Sequence, residues 1–312
     1  AFASAGMRNS WNFKNLLNYK ESFGKHRIDV LAGLEASKTE RKTSNIRGIG
    51  FVNSTLRTPQ DASLIESYFN KDAYSFLSIL ARVNYDFDSK YLLSITARRD
   101  GSSRFGENKK WGLFPAVSVG YNISEEEFFS GLKNTINFMK IRASYGESGN
   151  AEIGNYAYAS SYGQANYNNN NGITLSNIGD DELSWESVEQ TNVGLTIQMF
   201  DNKFSLDVDA YQKTTKDMLL PYPVSLVSGL TSVTTNLGKI ENKGIEATLG
   251  VTLFDTEDLT WDVDLSYAYN ENKVTDLGGN PEGINIPGFG TTSIYLNMPV
   301  GIQTIPIWVG VD

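Results

Sequence analysis

The feature that most constrains this chain is a two-residue hydrophobic alternation that returns again and again along it. From Ser75 to Phe87 one face reads Leu77, Ile79, Ala81, Val83, Tyr85, Phe87, and the other Ser78, Leu80, Arg82, Asn84, Asp86. The same alternation occurs at Tyr91/Leu93/Ile95/Ala97, Trp111/Leu113/Pro115/Val117/Val119/Tyr121 and Met139/Ile141/Ala143/Tyr145. It recurs at Val193/Leu195/Ile197/Met199, Phe204/Leu206/Val208/Ala210, Ile245/Ala247/Leu249/Val251/Leu253 and Trp261/Val263/Leu265/Tyr267/Tyr269. Successive side chains on a strand point to opposite faces, so each segment is a strand with one apolar and one wet face. With two less regular candidates at 11–22 and 26–37, the chain holds about ten strands.

Alternation also suits a water-soluble sandwich, so the connections have to decide. Tight turns at Phe23-Gly24-Lys25, Asp88-Ser89-Lys90, Asp201-Asn202-Lys203 and Asp255–Leu259 alternate with long loops near 48–73, 101–110, 147–184 and 218–237. Short connections at one end and long ones at the other are the layout of a transmembrane barrel. Residues 124–135 break the rule, and Phe128, Phe129 and Leu132 there suggest a helical turn on the rim. Aromatics flank the short turns: Tyr19 and Phe23, Phe87 and Tyr91, Phe200 and Phe204, Phe254 and Trp261. They fit a girdle at the headgroup level, although aromatic residues also favour strands as such.

Composition excludes several classes. A formal charge of −9 with no basic stripe argues against a nucleic-acid partner. The chain has no Cys and one histidine, His26, which leaves no disulfide framework and no His-based metal site or triad. No run approaches the ~20 apolar residues of a spanning helix, which a barrel does not need. No nucleophile elbow, phosphate loop or zinc spacing occurs, so the chain reads as a non-enzyme without a cofactor. The opening Ala1-Phe2-Ala3-Ser4 carries no signal peptide, which implies that one was removed or that the true N-terminus lies upstream.

Several motifs resemble those of SusC/RagA-type TonB-dependent transporters. They are Arg98-Arg99-Asp100-Gly101-Ser102-Ser103-Arg104-Phe105-Gly106, Phe114-Pro115-Ala116-Val117-Ser118-Val119-Gly120-Tyr121-Asn122 and the stretch Ile141–Asn150. Glu189-Gln190-Thr191-Asn192-Val193-Gly194, Tyr211–Leu219 and Asn236–Glu246 complete the set, in the family's order and over most of the chain. The resemblance implies a barrel of about 22 strands with a plug in its lumen, a TonB-contacting segment and a SusD-type surface lipoprotein as lid. Residues 1–312 would then be a slice of the barrel wall, without plug, N-terminal extension or final strands: Val309-Gly310-Val311-Asp312 is not the terminal aromatic strand of such barrels.

The expected fold is therefore all-β, an antiparallel up-and-down transmembrane barrel segment facing outer-membrane lipid on its apolar side. Alternation puts Arg98, Lys140, Arg142, Asp207, Asp209, Asp262 and Asp264 on the lumen side. The Asp207/Asp209 and Asp262/Asp264 pairs could in principle hold a metal or cleave a glycoside, but polar lining of a wet channel is the simpler reading. The 147–184 loop carries Tyr156, Tyr158, Tyr162 and Tyr167 among Asn, Gly and Ser, with Trp185 at the next strand. Aromatic faces with amide donors suit sugar or peptide recognition, or else the loop contacts the lid or solvent. The Asn168–Asn171 run reads as flexible. Two functions remain: TonB-coupled uptake of an oligosaccharide or peptide, or a structural or adhesive surface protein. An upstream plug and TonB-contacting segment would belong to the first alone.

Overall fold

The computed structural model describes residues 1–52, 55, 58–168, 170–279, 284–285 and 293–300. In chain order the strands are β1 (Phe2–Phe23), β2 (His26–Phe51), β3 (Ala62–Phe87), β4 (Tyr91–Ser102), β5 (Trp111–Asn122) and β6 (Ile136–Asn150). They continue with β7 (Ser161–Tyr167), β8 (Asn170–Asn177), β9 (Glu186–Met199), β10 (Phe204–Lys216), β11 (Leu219–Pro223), β12 (Ser232–Asn236), β13 (Lys239–Asp255) and β14 (Thr260–Asp276). One ten-stranded antiparallel sheet runs β1-β2-β3-β4-β5-β6-β9-β10-β13-β14. Neighbours in the sheet follow chain order, as they must in an up-and-down wall. β7–β8 and β11–β12 are separate hairpins inserted between wall strands, and Ile284–Asn285 pairs with Ser293–Ile294.

The register carries the alternation across the sheet. Leu206 sits opposite Ile197 on one side and Leu249 on the other, and Leu249 faces Leu265. Likewise Val83 faces Ile95, which faces Val117. One continuous apolar face results, and it stays accessible: Ile95, Val119 and Val193 are each about half exposed. A soluble protein would cover so wide an apolar face, whereas lipid tolerates it.

The long loop expected at 48–73 is mostly strand. β2 and β3 are 26 residues each, leaving a connection of only residues 52–61. A tilted strand needs ~9–11 residues to cross the hydrocarbon, so more than half of this hairpin stands beyond it. The outer face of β2 shows the exit: Ile28, Val30, Ala32, Leu34 and Ala36 give way to Lys38, Glu40 and Lys42. There Glu40 pairs with Lys42 at 3.0 Å and with Lys71 of β3 at 3.7 Å. Further round the outer face, Glu189 pairs with Lys216 and Glu241 with Lys243 at 2.7 Å. Outside the membrane both faces meet water, which removes the reason to alternate and leaves the stretch read as a loop at 48–73 without the pattern that marks a strand. The loops expected at 147–184 and 218–237 each contain a hairpin, so they too are more ordered than their polar composition suggests. Within the Asn168–Asn171 run, Asn170 and Asn171 pair with Tyr167 and Asn166 at the hairpin tip, while residue 169 lies outside the described residues. Val309–Asp312 also lie outside them.

At the short-turn end the aromatics form a row. Phe23 stacks on His26 with centroids 5.1 Å apart, His26 meets Phe87 at 4.9 Å, Phe87 meets Tyr91 at 6.3 Å and Tyr91 meets Tyr121 at 5.1 Å. One ring from each of five successive strands lies at one level, the geometry of an interfacial girdle. Phe254 and Trp261 stack at 5.8 Å beside the turn between β13 and β14. Asp88 and Ser89 both take positive φ, 56° and 57°, giving a tight turn whose twist matches that of the strands. The 124–135 segment forms two short 3₁₀ turns, Ile123–Glu125 and Glu127–Leu132, which bury Phe129 and leave Phe128 exposed. Glu126 between them accepts hydrogen bonds from Tyr91 at 2.7 Å, Lys90 at 3.0 Å and Tyr121 at 3.3 Å. The Tyr91 hydroxyl and then the Lys90 ammonium hold its carboxyl below the usual carboxylate range.

Candidate functional site

The face opposite the apolar one is polar, and the register places Arg98, Lys140, Arg142, Asp207, Asp209, Asp262 and Asp264 together on it. Gly120 is opposite Arg142, which is opposite Gly194, which is opposite Asp209, which is opposite Glu246. Asp264 faces Gly250 and Asp262 faces Thr252 on the same side. The sheet curls toward this face, because one cavity of about 870 Å³ is lined by Lys20 on β1 and also by Asp209 and Glu246 on β10 and β13.

Arg142 is the hub. Its Nη2 lies 2.7 Å from Asp207 Oδ1 and also reaches Asp209, while Nη1 donates to Thr196 Oγ1 at 2.6 Å. The Thr196 hydroxyl in turn donates to Asp207 at 2.6 Å. The guanidinium can lie flat on the wall because residue 194 is glycine: a Cβ there would stand 2.5 Å from Arg142 Nε and from Asp209 Oδ1. The Asp207/Asp209 pair thus neutralises an arginine. Among the described residues no group of three or more His, Cys, Asp or Glu side chains is placed to hold a metal ion. Arg98 is held the same way, by Asp100 at 2.8 Å and Glu35 at 3.0 Å, and Glu35 also meets Lys14 at 2.7 Å. These pairs are partly solvated, so each contributes at most ~1 kcal/mol and their main effect is to fix a patterned polar lining. Asp262 accepts from Thr252 at 2.6 Å.

At the long-loop end the chain builds a small core on this polar face. Phe105 and Leu183 are fully buried, with Ala151, and Phe76, Tyr158, Trp185 and Leu219 pack around them. The Trp185 ring lies 5.2 Å from Phe105 and 5.4 Å from Phe114, and its Nε1 donates to the Lys110 carbonyl at 3.0 Å. Phe114 can lean across the strand because Gly112 and Gly149 lie beneath its ring. Tyr158 and Trp185 are therefore packing residues of the mouth. Tyr156 and Tyr162 are 50% and 69% exposed and remain available to a ligand. The Tyr167 side chain lies outside the described residues. Below Trp185 a niche of about 300 Å³ brings that indole and Phe76 together with Arg98, Asp100, Glu35 and Asn12, joining two groups the sequence offered separately.

Several residues that organise the mouth carry no chemistry the sequence reading could assign. The Arg104 guanidinium lies 4.3 Å over the Tyr74 ring and donates to Asn155 at 3.0 Å and the Ala151 carbonyl at 2.9 Å. Asn236 bonds Ser184 and Asp217, and Lys109 pairs with Glu182 at 2.8 Å. Arg104, Phe105 and Asn236 lie inside the motifs quoted above, which was the only signal that could have singled them out.

Comparison with known proteins completes the picture. Residues 3–305 match the family model described as TonB dependent receptor-like, beta-barrel. TonB-dependent receptor P39 of Formosa agariphila is 35% identical over 281 residues, covering 88% of this chain and 27% of the receptor. TonB-dependent receptor SusC of Bacteroides thetaiotaomicron is 29% identical, covering 85% of this chain and 27% of SusC. The structure of the RagAB peptide transporter superposes with a TM-score of 0.88 at 30% identity, covering 96% of this chain and 34% of the matched chain. The copper transporter OprC, at 14% identity and a TM-score of 0.56, shares the fold alone. The chain thus spans about a quarter to a third of the proteins it matches. A ten-stranded wall with one lipid-type face, one charged face and ordered loops at one end belongs to the TonB-dependent receptor β-barrel family of the outer membrane, on its SusC/RagA side.

Proposed function

We propose that this chain forms part of the wall of a TonB-coupled importer in which an oligosaccharide or peptide enters past the loop mouth and descends along the charged face. The observation that carries this reading is the two-faced sheet. An adhesive or structural surface protein has no need of a curled, ion-paired interior beneath an ordered mouth, whereas a conduit needs both. Of the two cargo classes, the likeness to the RagAB peptide transporter favours a peptide. The exposed rings of Tyr156 and Tyr162 offer apolar faces to side chains, and the Arg98–Asp100–Glu35 group offers charges of both signs to a zwitterionic backbone. The partners in this reading are the TonB complex, reached through a plug and N-terminal segment outside this chain, and a SusD-type lipoprotein over the mouth.

Uptake of labelled oligopeptides by cells carrying the whole transporter tests it. Uptake is expected to need the proton-motive force, and Tyr156→Ala with Tyr162→Ala should lower it several-fold at equal surface abundance. Cell-surface adhesion without energy-dependent uptake would favour the rival function. Unchanged peptide uptake in the double variant would remove these rings from cargo contact.

A further inference from the structure

The long loops of this wall are cross-tied. The hub is the segment from Asp180 to Glu186, which bonds to the β4–β5 connection and to the β11–β12 hairpin. Toward the β4–β5 connection, Gly106 lies against the Asp181 carbonyl so closely that a Cβ would stand 2.9 Å from it. Lys109 pairs with Glu182 at 2.8 Å, and Trp185 Nε1 bonds the Lys110 carbonyl. Toward the β11–β12 hairpin, the Asn236 amide oxygen accepts from the Ser184 backbone N–H at 2.7 Å. Its amide nitrogen donates to the carbonyls of Ser184 at 2.9 Å and Asp217 at 2.8 Å. Glu186 accepts from the Leu219 N–H at 3.2 Å, and Thr235 donates to Asp180 at 3.3 Å.

Toward the β7–β8 hairpin, Asn177 donates to the carbonyls of Ala157 at 3.1 Å and Ala159 at 2.9 Å, closing the hairpin's base. Gly179 there touches the backbone of residues 158–160 with no room for a side chain. Arg104 then ties residues 151–155 to the rim, and Asn155 bonds Asp72 of β3 at 2.7 Å. Phe105 and Leu183, both fully buried, sit where these ties converge. By contrast the hairpin ends are bare: Ile173 is 80% exposed and Val227 is 96% exposed.

We infer that the loops between β4 and β5, β6 and β9, and β10 and β13 form one rigid block, in which Trp185 and Asn236 are positioning residues that hold the two exposed hairpin ends at a fixed separation. Opening or closing of the mouth then moves the β7–β8 and β11–β12 hairpins together, and a partner or cargo meets a preset lip. The inference concerns loop mechanics and stands whether or not peptides are the cargo. The Asn236 amide is only partly buried, but it bonds two loops at once through three hydrogen bonds that a smaller side chain could not make.

Electron–electron distance measurement on the whole outer-membrane protein in lipid nanodiscs tests it, with spin labels at Ile173→Cys and Val227→Cys. This chain has no cysteine of its own to interfere. The expected result is one narrow distance distribution, at least doubled in width by Asn236→Ala and by Trp185→Ala. Trp185→Phe, which keeps a ring among Phe76, Phe105 and Phe114, should return it close to the original width. A label pair at the opposite turns, Ser89→Cys and Asn202→Cys, reports barrel integrity and should be unchanged in all variants. A broad distribution in the otherwise unaltered protein would overturn the block. So would a narrow one that survives both alanine variants while the turn pair shows an intact barrel. A Trp185→Phe distribution as broad as that of Trp185→Ala would overturn the role given to the Trp185 ring.

Discussion

Leu249→Arg is the sharpest test of which face of the wall meets lipid. Leu249 lies opposite Leu206 and Leu265, at the centre of the outer-face run Ile245, Ala247, Leu249, Val251, Leu253. Four residues separate it from either end of that run; at ~3.4 Å per residue and ~45° tilt this is ~10 Å of depth each way, within a band ~25 Å tall. Leu249 therefore sits near the midplane, whereas Lys243, which the native wall already carries on this face, is six residues away and clears the band. A midplane arginine costs about 2–4 kcal/mol and one at the boundary about 0–1. At 3 kcal/mol the folding equilibrium falls by a factor of about 100. Ile245→Arg should cost less than Leu249→Arg, and Thr248→Arg, facing the polar interior, should cost least. The assay is the urea midpoint of the full-length protein in vesicles, read by heat-modifiable mobility. A soluble sandwich would also resist Leu249→Arg, so fluorophores at Leu249→Cys and Thr248→Cys are compared with a lipid-borne quencher. Strong quenching at 249 and weak at 248 is expected. Equal quenching at both, or none at either, would refute the assignment of faces.

Two further outcomes follow from the geometry. Glu126 has its carboxyl held down by Tyr91 and then Lys90, so its contribution to stability is full above the ordinary carboxylate pKa and is lost as pH falls through the lowered folded value. The urea midpoint should therefore drop more steeply in the unaltered protein than in Glu126→Gln on acidification below about pH 4.5, and parallel curves would count against the tie. Gly194→Ala should push the Arg142 guanidinium off the sheet, since the new methyl would stand 2.5 Å from its Nε. We expect a loss of about 1–3 kcal/mol by overpacking, recovered only in part in Gly194→Ala with Arg142→Ala because Asp209 Oδ1 still crowds the methyl, and strict additivity of the two would exclude the contact.

The amino-acid sequence alone determined the two-faced wall. A period of two can be met only by strands, and the short turns at Asp88–Lys90 and Asp201–Lys203 force antiparallel neighbours, so the wall strands from Ser75 onward and their facing were legible, although the hairpins inserted at 161–177 and 219–236 were not. The height of the wall was not. β2 and β3 run on past the membrane, where water bathes both faces and no alternation marks a strand, and their pairing is decided only by the neighbour alongside. The mouth was also hidden. Trp185 and Tyr158 read as candidate cargo contacts because they are aromatic residues beside polar loops, and only the approach of Phe105 from a distant part of the chain, joined at Trp185 by Phe114, leaves both of them partly buried. The same holds for Arg142, whose charge was plain in the sequence but whose partners Asp207 and Asp209 lie 65 and 67 residues away and meet it only across the strands that the register aligns. Local periodicity is written in neighbouring residues; contacts that close over long loops are fixed by tertiary geometry, because their cost and reward both depend on chain segments that the local pattern never sees.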